Sequence, residues 1–459
     1  MKNTNVGVLG YSDKFKKFLG YLNNKNTIYN LKFLIKQDKP NIENILNKYC
    51  ENYKIKFLIL CDDEFKELIT KNIQFFIKKK IIIVKAANNY EIDNHGFIIQ
   101  KLFKDFSFED IFLRKTLKIN IKETANNLKN KKILITGGGG SIGCNLILNI
   151  LKFKIKKIFI IDNNEYALFR LTNLIPNIHN EKIQIKIINI ENKKMLDKFV
   201  KFANPDIIFH TAALKHVQYL EKNPTQAIMT NIIGTQNTLE AANKYKVKHF
   251  IHVSTDKAAN PKNNLGVTKK ISENICANYT NHKIKIGIVR FGNVFDSNGS
   301  VSEIFRNKIL NQEKIKITNI NVKRFFMSKD EASNLLLHVS NHLHDKKVKD
   351  KVRTFIYNMG KPIKILDLAK KMIFLSGRQS KKYIEKKYSG LLAVEKIEEQ
   401  LMSKNETIKK IDANNILEIT TNKFINKISN STNILKIINK NNDDFANQYL
   451  KKMIKLINK

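Results

Sequence analysis

Tryptophan is absent, cysteine and proline are scarce at four and six residues, and only seven of the 82 basic residues are arginine. The cysteines, Cys50, Cys61, Cys144 and Cys276, are scattered without a CxxC pair. That excludes a disulfide framework and a zinc site, and leaves reduced, mostly buried thiols with no metal centre expected. The formal charge of +41 invites a nucleic-acid partner, but arginine forks normally carry phosphate and base recognition and are nearly missing here. Lysines spread along the whole chain read as solvated faces, with at most a loose attraction to anionic lipid or polyanions that salt would abolish. No apolar run approaches the roughly 18 to 20 residues that span a bilayer, so no integral membrane segment is expected. The opening MKNTNVGVLGYSD lacks the apolar stretch of a signal peptide, and a cytoplasmic location is the default expectation.

What is present is enough for packed cores: 42% hydrophobic residues over 459 positions, a length that implies two or three domains. Residues 1–115 alternate short apolar runs (Val6–Leu9, Leu31–Ile35, Lys56–Cys61, Ile81–Val84) with Lys-rich amphipathic stretches, the rhythm of a small α/β domain. Gly7 and Gly10 are too few there for a dinucleotide fingerprint. From Lys132 strand-length runs recur at Ile133–Thr136, Ile158–Ile161, Ile183–Ile188, Ile207–His210, His249–Ser254 and Ile286–Phe291, most of them separated by a helix-length segment. This spacing predicts an α/β fold with a doubly wound parallel Rossmann sheet over 116–295. A smaller substrate-binding region over 296–400 and a polar, partly helical tail over 401–459 complete the expected organisation.

The strongest local signal is Thr136-Gly137-Gly138-Gly139-Gly140-Ser141-Ile142-Gly143. It follows a strand, opens a helix, and has an acid, Asp162, at the end of the next strand, the context a dinucleotide site requires. Gly137 permits the tight turn, Gly140 lets backbone approach a pyrophosphate, and Gly143 lets helix and strand pack. Amides at the helix start, with the Ser141 hydroxyl, then face the phosphates. Asp162 would accept ribose hydroxyls and repel a 2′-phosphate, which favours NAD over NADP. The spacing TGxxGxxG is that of short-chain dehydrogenase relatives with the extended form of the fold. Downstream, Thr255-Asp256-Lys257 closes the fifth strand of this sheet, at the carboxyl edge where open α/β sheets bind ligands, and Lys269 lies twelve residues on.

The segments TGGGGSIG (136–143), DNNEYALF (162–169), FHTAALKHV (209–217), EKNPTQAIMTNIIGT (221–235), STDKAANP (254–261), VRFGNVFDSNGSV (289–301), RFFM (324–327) and MGKPIKILDLAKKMI (359–373) occur in one order over about residues 105–400. Together they make the chain resemble the nucleoside-diphosphate-sugar 4,6-dehydratases of the polysaccharide-biosynthesis branch of extended short-chain dehydrogenases, especially those acting on UDP-N-acetylglucosamine. The resemblance implies a lyase that oxidises sugar C4, removes the C5 proton, expels the C6 hydroxyl as water and returns the hydride to C6. It assigns Asp256 as the acid, Lys257 as the C5 base, Thr255 as a hydrogen-bonding partner near O4, and Lys269 to the nicotinamide ribose. It adds Ile142, Asn163, Asn189, Ile190, Ala212 and Ala213 to the cofactor site, and Lys215, His216, Asn231, Arg290, Asn293 and Arg324 to the sugar-nucleotide site. A homo-oligomer is expected.

Three positions depart from the family. Leu265 stands where short-chain dehydrogenases place the proton-exchanging tyrosine, leaving Thr255, Asp256 or a water to serve the C4 hydroxyl. Asn189 replaces an adenine-side acid. The family segment GLRPGEK reads Gly390-Leu391-Leu392-Ala393-Val394-Glu395-Lys396, with its arginine lost to Leu392. A sugar-nucleotide 4-epimerase and a non-catalytic dinucleotide-binding protein are the competing expectations. The Asp256–Lys257 pair argues against the epimerase, which needs neither a C5 base nor a C6 acid.

Overall fold

Runs of isoleucine, leucine and phenylalanine bounded by lysine form strands buried on both faces, and they assemble into two separate sheets. The computed structural model describes residues 4–11, 29–37, 42–79, 81–85, 108–112, 114, 116–279, 283–344, 352–376, 383–385, 389–391, 393–410, 415–421 and 442–458. Two units emerge. The first takes residues 1–115 together with 304–320 and 364–390, so two stretches of the expected substrate region belong to it. Its four strands, β1 (Thr4–Leu9), β2 (Tyr29–Ile35), β3 (Phe57–Leu60) and β4 (Ile82–Lys85), run parallel in the order β2-β1-β3-β4. Val6, Val8 and Leu58 are fully buried in it, and the helix α1 (Ile42–Asn52) contributes Ile42, Leu46 and Cys50 at a spacing of four.

The second unit holds a nine-stranded sheet. Its parallel strands are β5 (Lys132–Thr136), β6 (Lys157–Asp162), β7 (Ile183–Ile187), β8 (Ile207–His210), β9 (His249–Thr255), β10 (Lys285–Phe291) and β11 (Val352–Tyr357). A hairpin of β12 (Glu406–Lys410) and β13 (Ile416–Thr421) joins antiparallel, giving the order β12-β13-β11-β10-β9-β8-β5-β6-β7. The sheet is the doubly wound Rossmann type, and the region expected as a polar tail supplies its last two strands.

Period-two alternation sends each strand's side chains to two cores. Ile133, Ile135, Ile158 and Ile160 face one core with helices α2 (Ser141–Ile150), α3 (Glu165–Leu174) and a long helix at 329–344. Leu134, Phe159, Ile161 and Ile208 face the other, with α4 (Lys193–Ala203), α5 (Gly234–Lys244), α6 (Asn264–Ala277) and α7 (Asp443–Ile457). Each fully buried Leu or Ile contributes about 1.5–3 kcal/mol, so the two cores hold the loops above them in fixed positions. Strand order reverses between β5 and β8, and the loops after both strands therefore open a crevice at the carboxyl edge. No helix among the described residues is long and apolar enough to cross a membrane.

Candidate active site

The glycine turn leaves β5 at Thr136, which is fully buried. Gly137 has φ +69°, and a Cβ on Gly143 would lie 2.4 Å from the Gly137 carbonyl, so both need glycine. Helix α2 then starts after Gly140 without any side-chain cap, leaving its first amides available to an acceptor. The Asp162 carboxylate accepts from the amides of Gly139 and Asn164, both at 3.0 Å, which aims it across the mouth of the turn. Ser141 Oγ accepts from the Asn298 amide at 2.9 Å and keeps its own hydrogen to donate. Asn163 is exposed beside Asp162, while Asn189 accepts from the Glu191 amide at 3.0 Å. Ile190 and Ile142 are largely packing residues, Ile190 at 4% exposure, and Ala212 abuts Gly137 with Ala213 exposed next to it. Uncapped amides beside a carboxylate suit a dinucleotide whose ribose carries free hydroxyls.

At the end of β9, two side chains converge on one oxygen of Asp256. Thr255 Oγ1 donates to Asp256 Oδ1 at 2.9 Å, and Lys257 Nζ donates to the same atom at 3.0 Å and to Asn293 Oδ1 at 3.2 Å. Asp256 is 1% exposed, and its other oxygen, Oδ2, is buried without a partner. An orphaned carboxylate oxygen in a closed site is costly unless a ligand hydroxyl meets it. Lys269 lies on α6 at 4% exposure, and burial pushes its amine down to about 8.

Two histidines line the floor beneath. His210 bridges Thr136 Oγ1 at 2.8 Å and Thr235 Oγ1 at 3.0 Å, and it stacks on His252, which meets Ser272 Oγ at 2.9 Å. Burial, with the nearby Lys269 charge, pushes His210 down to about 3 and His252 well below its ordinary value, so both stay neutral. His252 carries no motif signal in the sequence; only the adjacency of β8 and β9 brings it beside His210.

The expected substrate residues divide. Lys215 and His216 are exposed at the crevice, with Lys215 Nζ donating to Ser297 Oγ at 3.3 Å and the His216 ring lying against Gly299. Asn293 joins them through Lys257. Arg324 is 7% exposed and donates to the Lys323 and Ile397 carbonyls at 2.8 and 3.1 Å.

Two others turn inward. Asn231 is fully buried; its amide accepts from Leu214 N at 2.9 Å and donates to Leu214 O at 3.1 Å, so it shapes the loop instead of facing substrate. Arg290, at 1% exposure, spends four N–H groups on Glu273 and Glu406 at 2.7–2.8 Å. Two carboxylates outcompete a diffusing phosphate for a guanidinium in the core, so Arg290 ties β10 to α6 and β12.

Leu265 is 7% exposed and packs with Leu220 and Ala227, which satisfies it as an apolar residue. Leu392 lies outside the described residues. Its neighbour Lys396 ion-pairs with Glu399 at 3.8 Å and donates to the Asn260 carbonyl, just beyond the Asp256–Lys257 edge.

Residues 133–421 match the model of the polysaccharide biosynthesis protein family. The chain belongs to this family. It is similar to the capsular polysaccharide biosynthesis protein CapD of Staphylococcus aureus, 36% identical over 307 residues, covering 66% of this chain and 50% of that protein. It is also similar to the probable polysaccharide biosynthesis protein EpsC of Bacillus subtilis, 31% identical, covering 78% of this chain and 59% of that one. It thus spans about half the length of the curated relatives it matches. Among solved structures it resembles Pen from Bacillus thuringiensis at 31% identity and a TM-score of 0.58, over 68% of this chain and 98% of that one.

Proposed function

We propose that this family member is an NAD-dependent nucleoside-diphosphate-sugar 4,6-dehydratase that converts UDP-N-acetylglucosamine into a 4-keto-6-deoxy sugar nucleotide for surface polysaccharide. The observation that carries the reading is the Thr255–Asp256–Lys257 edge with its unpartnered, buried Asp256 oxygen. Bound NAD would supply hydride removal from C4 and hydride return to C6. Asp162 would hold its ribose, the amides following Gly140 its pyrophosphate, and Lys269 its nicotinamide side.

The protons then balance on this chain's own residues. The C4 hydroxyl gives its proton through Thr255 to Asp256, a route that dispenses with the tyrosine replaced by Leu265. Lys257, in its neutral form, removes the C5 proton that the new C4 carbonyl acidifies. Asp256 passes its proton to the departing C6 hydroxyl, which leaves as water. Lys257 finally returns its proton to C5, and both side chains end as they began. A 4-epimerase would need only the first of these transfers, which leaves Lys257 without a task.

The test is incubation of the purified chain with NAD and UDP-N-acetylglucosamine, read by mass spectrometry. A product lighter by one water supports the dehydratase. An isomer of unchanged mass points to epimerisation, and inert sugar nucleotide with bound cofactor points to a binding protein.

A further inference from the structure

The C-terminal helix α7 lies in a stretch whose sequence is polar and rich in Asn and Lys. It nevertheless buries Ala446, Leu450 and Met453, spaced four and three apart, in the core shared with Val267, Ile271 and Ile275 of α6. Its polar contacts are aimed at the segments that carry the site. Asp443 Oδ1 accepts from the Thr225 amide at 3.1 Å, and Asn458 Nδ2 donates to the Pro261 carbonyl at 3.0 Å, in the turn between Lys257 and α6.

Between these two anchors runs a hydrogen-bonded relay, buried at its centre and part-buried at its ends. Asn447 Oδ1 accepts one hydrogen of the Asn264 amide at 3.3 Å; the other goes to the Leu220 carbonyl at 3.1 Å. The relay passes through the Asn264 main chain: its backbone carbonyl accepts from Thr268 Oγ1 at 2.7 Å, a hydroxyl that also lies 3.1 Å from the Leu265 carbonyl. Thr268 Oγ1 accepts from Asn231 Nδ2 at 3.2 Å, and Asn231 grips both backbone groups of Leu214. Leu214 adjoins Lys215 and His216 at the crevice. Asn231 and Thr268 are fully buried and Asn264 is 3% exposed, so water does not replace the partners at the centre of the relay. A satisfied buried chain of this kind favours a single arrangement, and removing one acceptor leaves an interior N–H unpaired.

We infer that α7 is a positioning element for the site: Asn447, through Asn264, Thr268 and Asn231, fixes the 212–216 loop, and Asn458 fixes the turn that delivers α6 with Lys269. No residue of α7 is assigned to substrate or cofactor. The consequence for turnover rests on the dehydratase reading; the consequence for loop order does not.

The experiment compares the full chain with the Asn447→Ala/Asn458→Ala double variant by amide hydrogen exchange and, where turnover is detectable, by kinetics. Exchange at Leu214 and over 262–269 is expected to rise about tenfold, since a lost buried hydrogen bond is worth roughly that factor. The expected kinetic signature is a fall of similar size in kcat, recovered with the exchange protection in Asn447→Asp. Asn447→Asp, which keeps the acceptor oxygen, is expected to restore the exchange lost in Asn447→Ala. Should the double variant precipitate, Asn447→Ala alone removes the acceptor without touching the core and carries the same comparison. Wild-type exchange at Leu214 in a folded Asn447→Ala chain would overturn the inference. An inert full chain with altered exchange would sink the dehydratase reading and leave the positioning role standing.

Discussion

Lys257 and Lys269 both lie near the carboxyl edge, but their surroundings differ. Lys257 is anchored by Asp256 and Asn293. Its replacement, Lys257→Ala, is expected to abolish turnover while leaving NAD binding intact, which equilibrium dialysis and the mass assay check together; an unaffected rate would refute its role as base. Lys269 is buried, and its amine releases its proton near pH 8 instead of 10.5. Below pH 8 the fold carries the full cost of a buried charge. Between pH 8 and 10.5 the unfolded chain binds more protons than the folded one, so stability rises with pH. Lys269→Met is therefore expected to raise the melting temperature at pH 7 by a few degrees, with the gain vanishing toward pH 10.5, while turnover falls. A lower melting temperature at pH 7 would contradict that burial cost.

Elements explain why some residues were legible in the sequence and others were not. Strands buried on both faces must be near-continuous apolar runs, so β5, β6 and β8 to β10 stand out within a residue or two of their observed ends, while the edge strand β7 shows as an alternation of Ile with polar residues. The glycine turn and Asp162 are legible because a strand, a helix and the next strand end supply their context locally. Arg290 is different: RFGNV at a strand end reads alike whether the guanidinium faces substrate or core. Its partner Glu406 lies 116 residues away on a strand, ETIKK, whose edge position makes it look like polar tail. The same holds for α7, whose three buried residues are diluted by lysine and asparagine. Burial alone would raise the Glu406 carboxyl, but the Arg290 hydrogen bonds and charge win and hold it at about 2. Its contribution to stability is thus present above pH 4.5 and lost as pH falls toward 2. Arg290→Met leaves the buried Glu273 and Glu406 carboxylates with Lys270 as their shared cation, at 3.4 and 3.0 Å, and is expected to cost about 3 kcal/mol in urea unfolding. A variant with wild-type stability and a raised KM would return Arg290 to the substrate site.

Across the whole molecule, the basic excess and the Asp256–Lys257 edge are separate properties. A charge of +41 carried almost wholly by lysine predicts attraction to DNA at low salt that disappears at physiological ionic strength, which a salt titration of DNA retention checks. Retention that survives salt would mean a built nucleic-acid site. The nine-stranded sheet instead brings Asp162 and the uncapped helix α2 to one side of the reversal of strand order and the Asp256–Lys257 pair to the other, at the same carboxyl edge. The central claim is that this crevice removes water from a sugar nucleotide without net consumption of cofactor. The direct measurement is the mass of UDP-N-acetylglucosamine after incubation with the chain and a catalytic amount of NAD. Loss of one water from the whole substrate pool is predicted; a pool of unchanged mass would contradict it.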